Sequence, residues 1–195
     1  MDAWSPSDPA TVVTHALAST VSPALAARLL ETTTRAILEQ AAREHGGVVL
    51  MGHGSRAGGG AFLFSDYTRA LDPANAHVLA DRWCYALACW LGGLDIARHA
   101  VGAGCLAFVG YDDEINVAWS YDALAAPVRA ALDDLVASVP IVLASGVRDA
   151  RAIRRAAGDA RDAFLAAIDR EDVHDFALIS FGSALGGRDL AITLP

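Results

Sequence analysis

A histidine and a cysteine, His53 and Cys89, each close a short apolar run: Gly47-Val48-Val49-Leu50-Met51-Gly52-His53-Gly54 and Trp83-Cys84-Tyr85-Ala86-Leu87-Ala88-Cys89. An imidazole beside a thiol is the smallest set of side chains that makes a cysteine nucleophile, because the attacking species is the thiolate and the histidine stabilises it. That chemistry requires the two groups to meet, and the runs before them indicate how. Four to eight consecutive apolar residues fit an interior strand of a parallel sheet, and in open α/β sheets sites form at the C-terminal ends of strands. If the two strands are neighbours, His53 and Cys89 sit side by side.

The immediate settings of both residues add to this. His53 stands between two glycines and ahead of Ser55-Arg56-Ala57-Gly58-Gly59-Gly60, a stretch too glycine-rich for a helix and expected as a mobile loop. Gly54 leaves its own backbone N–H accessible, which suits an oxyanion hole. Cys89 ends its run with the small Ala88 before it, and a helix is expected from residue 91. The exposed N–H groups of such a helix would lower the thiol pKa. Cys84 and Cys105 lie inside apolar runs and read as small core hydrophobes. His15, His45, His77, His99 and His174 read as surface or satisfied core histidines.

The elements that must position the pair follow from periodicity and punctuation. Residues 1–22, rich in Ser, Thr and Pro, read as a loose N-terminal arm or a short helix, and residues 23–195 as one domain. Apolar residues at helical spacing predict a helix over 23–44, with Ser22 as N-cap and Pro23 in its first turn, ended by Gly46-Gly47. The histidine strand follows at once. A short strand over 61–66 and a helical turn from Asp72-Pro73-Ala74-Asn75 to residue 79 precede the cysteine strand. A helix over 91–101 and a strand over 105–110 complete a βαβ unit, whose crossover is right-handed. Beyond the acidic Asp112-Asp113-Glu114, the pattern predicts an amphipathic helix over 121–139 broken near Pro127, and a short segment over 141–144. A long arginine- and alanine-rich helix over 147–168 follows, then strands over 176–181 and 191–194. The class is α/β, with a mostly parallel sheet between helices.

Composition narrows the functions. At 195 residues the chain suits one domain with a substantial core. Although 54% of residues are hydrophobic, charged residues break every apolar stretch short of a membrane span. A net charge of −8 disfavours nucleic acid as a partner. All 15 basic residues are arginine, which excludes a Schiff-base lysine and a Walker-type phosphate lysine. Three cysteines, an odd number in apolar runs, argue for free thiols in a reducing compartment. With no basic, apolar leader at Met1-Asp2-Ala3-Trp4, the expected location is cytoplasmic.

The order His-Gly after one strand and a cysteine after the next, 36 residues on (89 − 53), resembles the caspase-like cysteine peptidases and most closely their bacterial CHAT branch. The resemblance rests on Val48-Val49-Leu50-Met51-Gly52-His53-Gly54-Ser55, on Tyr85-Ala86-Leu87-Ala88-Cys89-Trp90-Leu91-Gly92, and on Val101 through Gly110, within residues 46–115. It implies a caspase-like three-layer sandwich. It implies a dyad in which His53 assists Cys89, an oxyanion hole from the backbone N–H groups of Gly54 and Cys89, and peptide cleavage through a thioester. It also implies a bacterial stress or defence setting, with a protein substrate and a regulatory protein or homo-oligomer as partners. The dyad needs no metal and no cofactor. Relatives of this group carry one or two strands before the histidine strand, whereas residues before Val48 read as helical, so the sheet is either abbreviated at the N-terminus or completed by a strand from the arm around Val12. Leu87 stands where many arginine- or lysine-cleaving relatives have aspartate, leaving Asp66, Asp112 and Asp113 as candidate substrate-binding residues. Gly52-His53-Gly54-Ser55-Arg56 also resembles the opening of small tetrapyrrole metal chelatases, in which a second histidine such as His77 or His99 must converge. A non-catalytic caspase-like scaffold that binds a protein partner is the third reading.

Overall fold

Three apolar pentapeptides, Gly47–Met51, Trp83–Leu87 and Ala107–Tyr111, are buried along their whole length, as strands must be when both faces of a sheet are covered. A computed structural model describes residues 2–5, 11–25, 27–30, 35–64, 66–115, 117–187 and 189–195. In chain order its elements are β1 (Asp2–Trp4), α1 (Val12–Ala24), β2 (Arg28–Leu30), α2 (Arg35–Glu44), β3 (Gly47–Met51), β4 (Gly54–Ser55), β5 (Ala61–Leu63), β6 (Arg69–Leu71) and a 3₁₀ turn (Ala76–Leu79). Then come β7 (Trp83–Leu87), α3 (Asp95–Gly102), β8 (Ala107–Tyr111), a second 3₁₀ turn (Tyr121–Ala123), α4 (Ala126–Ala144), α5 (Ala150–Arg170), α6 (Phe176–Leu185) and β9 (Leu190–Thr193).

The protein is α/β, with a mixed, mostly parallel sheet, a small antiparallel sheet and, among the described residues, six helices. The main sheet runs β2-β1-β3-β7-β8-β9, and only β9 is antiparallel to its neighbour. Strands β3, β7, β8 and β9 are its longer members, and the three-residue β1 and β2 extend it on the β3 side. Alternation along the strands feeds two cores. Val49, Met51, Tyr85, Leu87, Val109 and Tyr111 pack with α1, α4, α5 and α6. Val48, Leu50, Cys84, Ala86 and Phe108 pack with α2, α3, the first 3₁₀ turn and the β5–β6 hairpin. Within the first core the Tyr111 hydroxyl donates to Leu185 O at 3.3 Å and stands 2.9 Å from the Tyr85 hydroxyl, tying α6 to the sheet.

Several expectations change. Within the expected N-terminal arm, residues 1 and 6–10 lie outside the described residues; of the rest, β1 pairs with β2 and β3, and the short helix alternative is met by α1, which buries Val13, Leu17, Ala18 and Val21 against the sheet. Two strands, β1 and β2, therefore precede the histidine strand. Both are three residues long, too short to leave an apolar signature. The helix expected over 23–44 is three elements, α1, β2 and α2, with residues 26 and 31–34 outside the described residues. Pro23 lies in the last turn of α1 instead of opening a helix. Pro127 does not break a helix either; it occupies the first turn of α4, where its missing N–H costs nothing. Residues 141–144 are the last turn of the same helix. The expected strand over 61–66 is β5, with Ser65 outside the described residues. Residues 176–181 are helical, opened by Asp175, whose carboxylate accepts from Leu178 N–H at 3.0 Å. Among the described residues no helix is long and apolar enough to cross a membrane.

Candidate active site

The register of β3 against β7 aligns the pair. Gly47 stands opposite Trp83 and Met51 opposite Leu87, an offset of 36 (87 − 51), and His53 and Cys89 are separated by the same 36 (89 − 53). Each lies two residues past the end of its strand. Gly52 N–H carries the ladder one step further by donating to Leu87 O at 3.1 Å. Both residues line one cleft of about 260 Å³ at the C-terminal edge of the sheet, together with Gly54, Trp90, Glu114, Ile115, Val117, Thr11 just before α1 and Thr14 within it.

Gly54 fits against the cysteine backbone with no room to spare. A Cβ there would stand 1.9 Å from Cys89 O and 2.9 Å from Cys89 N. Gly54 also faces Phe62 in the β4–β5 ladder, and Leu63 N–H donates to His53 O at 3.1 Å. That bond flanks a non-hydrogen-bonded pair, in which the central N–H groups turn out of the ladder. The Gly54 N–H is thereby left out of β4–β5 pairing, while the Cys89 backbone packs against the face of the same residue. The glycine-rich segment that follows, expected as a mobile loop, is bonded at two points. Gly59 O accepts from Ile96 N–H at 2.9 Å, and the Arg69 guanidinium donates to Ala57 O at 3.2 Å.

Cys89 is half-buried, and its sulfur accepts from Ile115 N–H at 3.3 Å. Burial pushes its thiol pKa up; the Ile115 contact opposes this, and the carboxylates of Glu114 and Asp113 add to it. The expected helix after Cys89 does not begin there: α3 starts at Asp95, and residues 90–94 form a bend that packs down on β8. Trp90 takes φ 58°, its N–H donates to Asp113 O at 3.2 Å, and Gly92 N–H donates to Tyr111 O at 3.0 Å. A side chain at Gly92 would strike the Gly110 backbone, so the turn is glycine-dependent. The macrodipole of α3 consequently gives Cys89 no direct help. Cys84 and Cys105 are fully buried, and burial pushes the Cys105 thiol up to about 11.

The candidate acidic residues take different places. Asp66 caps the β5–β6 turn, accepting from Thr68 N–H at 3.0 Å and Thr68 Oγ1–H at 2.6 Å. The Asp112 carboxylate lies against Gly93, away from the cleft lining, and is pushed up by burial and by Asp189, with Arg154 opposing. Asp113 uses its carbonyl to hold Trp90 and its carboxylate to accept from Glu114 N–H at 2.8 Å. Glu114, which no sequence pattern singled out as a site residue, is the acidic side chain in the cleft. Trp90, Ile115 and Tyr67 were equally invisible. Tyr67 stacks on His53, with ring centroids 4.9 Å apart, and the Arg56 guanidinium lies 4.8 Å from the centre of a Trp90 ring. His77 and His99 do not line the cleft, and His99 Nδ1–H donates to Asp95 O at 2.8 Å within α3. Among the described residues no three His, Cys, Asp or Glu side chains gather as a metal set. The chelatase resemblance therefore lacks its second ligand among them. Comparison of the chain with models of known families, with curated proteins and with solved structures finds no match.

Proposed function

We propose that this chain is a cysteine endopeptidase of the caspase-like, CHAT-type group, cutting a protein substrate through a His53–Cys89 dyad. The observation that carries the reading is the β3–β7 register, which sets the two residues at equal distances past adjacent strand ends in one cleft. Two strands before the histidine strand and helices over both faces of the sheet agree with a caspase-like three-layer sandwich.

In this mechanism His53 takes the Cys89 thiol proton, and the thiolate attacks the substrate carbonyl carbon. The carbonyl π electrons move to oxygen, and the oxyanion is met by the N–H groups of Gly54 and Cys89. Collapse breaks the C–N bond, the amine leaves with the proton from His53, and a thioester remains. Water attacks the thioester, giving a proton to His53; the carboxylic product departs and the thiol is restored. Burial raises the Cys89 thiol pKa, with the Ile115 N–H opposing and the carboxylates of Glu114 and Asp113 adding to it, and the partner in this reading is a regulatory protein or a second copy that acts on that setting.

The test combines hydrolysis of a mixed fluorogenic peptide library with iodoacetamide labelling and peptide mapping. Cys89 is expected to label in the native protein while Cys84 and Cys105 label only on unfolding. Cys89→Ala should abolish hydrolysis, and His53→Ala should lower it by about 10²–10⁴-fold. Hydrolysis that survives Cys89→Ala refutes the assignment.

A further inference from the structure

The β5–β6 hairpin closes through a tight turn whose construction goes beyond joining two strands. Phe64 N–H donates to Thr68 O and Tyr67 N–H to Phe64 O, both at 2.9 Å. Asp66 takes both donors of Thr68 on one carboxylate oxygen, and these bonds hold its carboxyl below the usual range. Tyr67, at the corner, has φ 61°. A left-handed corner is the natural place for glycine or asparagine, and a ring-bearing residue there is strained. Core packing does not repay this, because Tyr67 is 62% exposed. Its ring contact among the described residues is His53, at 4.9 Å between centroids and 34° between planes.

We infer that Tyr67 is a positioning residue for His53, set by the Asp66 turn so that its ring braces the imidazole at the cleft. The inference rests on His53 acting as the base. A tilted stack limits rotation of the imidazole, and the π face attracts the imidazolium that forms when the thiol proton arrives. Tyr67 acts through His53 and not on the reacting atoms. Asp66, which the sequence suggested as a substrate contact, acts one step further back by fixing the corner.

The test uses Tyr67→Gly and Tyr67→Phe in the full chain. Glycine removes the ring while relieving the positive φ, so Tyr67→Gly should be at least as stable as the parent in thermal unfolding. The ring protons of His53, assigned by comparison with His53→Ala, should carry a ring-current displacement in the parent and in Tyr67→Phe that disappears in Tyr67→Gly. The rate of Cys89 alkylation and kcat should fall about 5- to 10-fold in Tyr67→Gly with KM unchanged, and stay within about twofold in Tyr67→Phe. An unchanged His53 spectrum in Tyr67→Gly overturns the stack. A lost displacement with undiminished alkylation and kcat, or a change confined to KM, overturns the positioning role. If alkylation depends on His53 but not on Tyr67, this inference alone fails. If it does not depend on His53 either, the dyad fails with it.

Discussion

Replacing Gly54 with alanine tests the closest approach in the site. The added Cβ would lie 1.9 Å from Cys89 O and 2.9 Å from Cys89 C and N, where non-bonded heavy atoms rest at about 3.5 Å. The gap must therefore widen by roughly 1.5 Å. No flexible side chain can absorb this, because both partners are main chain held at either end. His53 O is bonded to Leu63 N–H, Gly52 N–H to Leu87 O, and Trp90 N–H to Asp113 O. Overpacking of this kind costs about 1–3 kcal/mol, and for a chain of this size that lowers Tm by roughly 2–12 °C. The same displacement moves the Gly54 N–H from the Cys89 backbone, and a misplacement of about 1 Å can cost about 10²-fold in rate. Thermal unfolding followed by circular dichroism, with peptide hydrolysis on the same samples, measures both. Gly158→Ala is the control: it lies within α5 with nothing within 4 Å of its added methyl, and should gain about 0.5–1 kcal/mol. A Gly54→Ala protein with parental Tm and parental hydrolysis would refute the packing of Gly54 on Cys89.

Two electrostatic predictions follow from the acidic stretch after β8. The Glu114 carboxylate disfavours a neighbouring thiolate, so Glu114→Gln should shift the Cys89 thiol pKa downward. At pH 7.5, below that pKa, alkylation of Cys89 should speed up by about two- to fivefold, the size of a surface charge interaction, and a pH–rate profile that does not move removes Glu114 from the site. Asp112 has its carboxyl raised by burial and Asp189, so its ionised form weakens the fold, and stability rises as pH falls through the folded-state value. Asp112→Asn removes the charge and should stabilise by about 0.3–1 kcal/mol at pH 7 after surface screening, with no gain at pH 3. Hydrolysis should be unchanged; a large rise in KM would return Asp112 to the substrate site.

The parts legible in sequence were those with a one-dimensional signature. Residues 47–51 and 83–87 are unbroken apolar pentapeptides of equal length, and their paired register leaves His53 and Cys89 each two residues past adjacent strand ends. The long helix α5 was legible for a similar reason, with Asp149 accepting from Ala152 N–H at its start. β1 and β2 were not, because three residues cannot display a period, and their strand character comes from pairing with β3 and with each other. Phe176–Leu185 misled in the opposite way. It is apolar enough for a buried strand, yet Asp175 caps it as a helix, and burial of Leu178, Phe181, Gly182 and Leu185 follows the helical period. The sequence suggested a helix immediately after Cys89, but the left-handed Trp90 and the contact of Gly92 with Gly110 turn the chain first.

The acidic run after β8 illustrates what spacing alone could not resolve, and it bears on how the nucleophile is controlled. Read as sequence, Asp112-Asp113-Glu114 is one patch of charge at a cleft mouth. Folded, its members diverge: Asp112 turns to Gly93, Asp113 holds Trp90 by its carbonyl, and Glu114 enters the cleft. The next residue, Ile115, sets its N–H on the Cys89 sulfur. This short segment thus acts on the thiol with both signs. The Ile115 N–H favours the thiolate, while Glu114 and Asp113 oppose it and add to the penalty of burial. A bonded donor to a charged acceptor is worth about 1.5–3 kcal/mol, and a screened carboxylate about 0.2–1 kcal/mol. Displacing or neutralising the two carboxylates while Ile115 stays in place would therefore lower the thiol pKa, with burial, the largest influence, left as the opposing one. A cationic group from a substrate or a regulatory protein has the chemistry to do this, and Glu114→Gln imitates it in a single substitution.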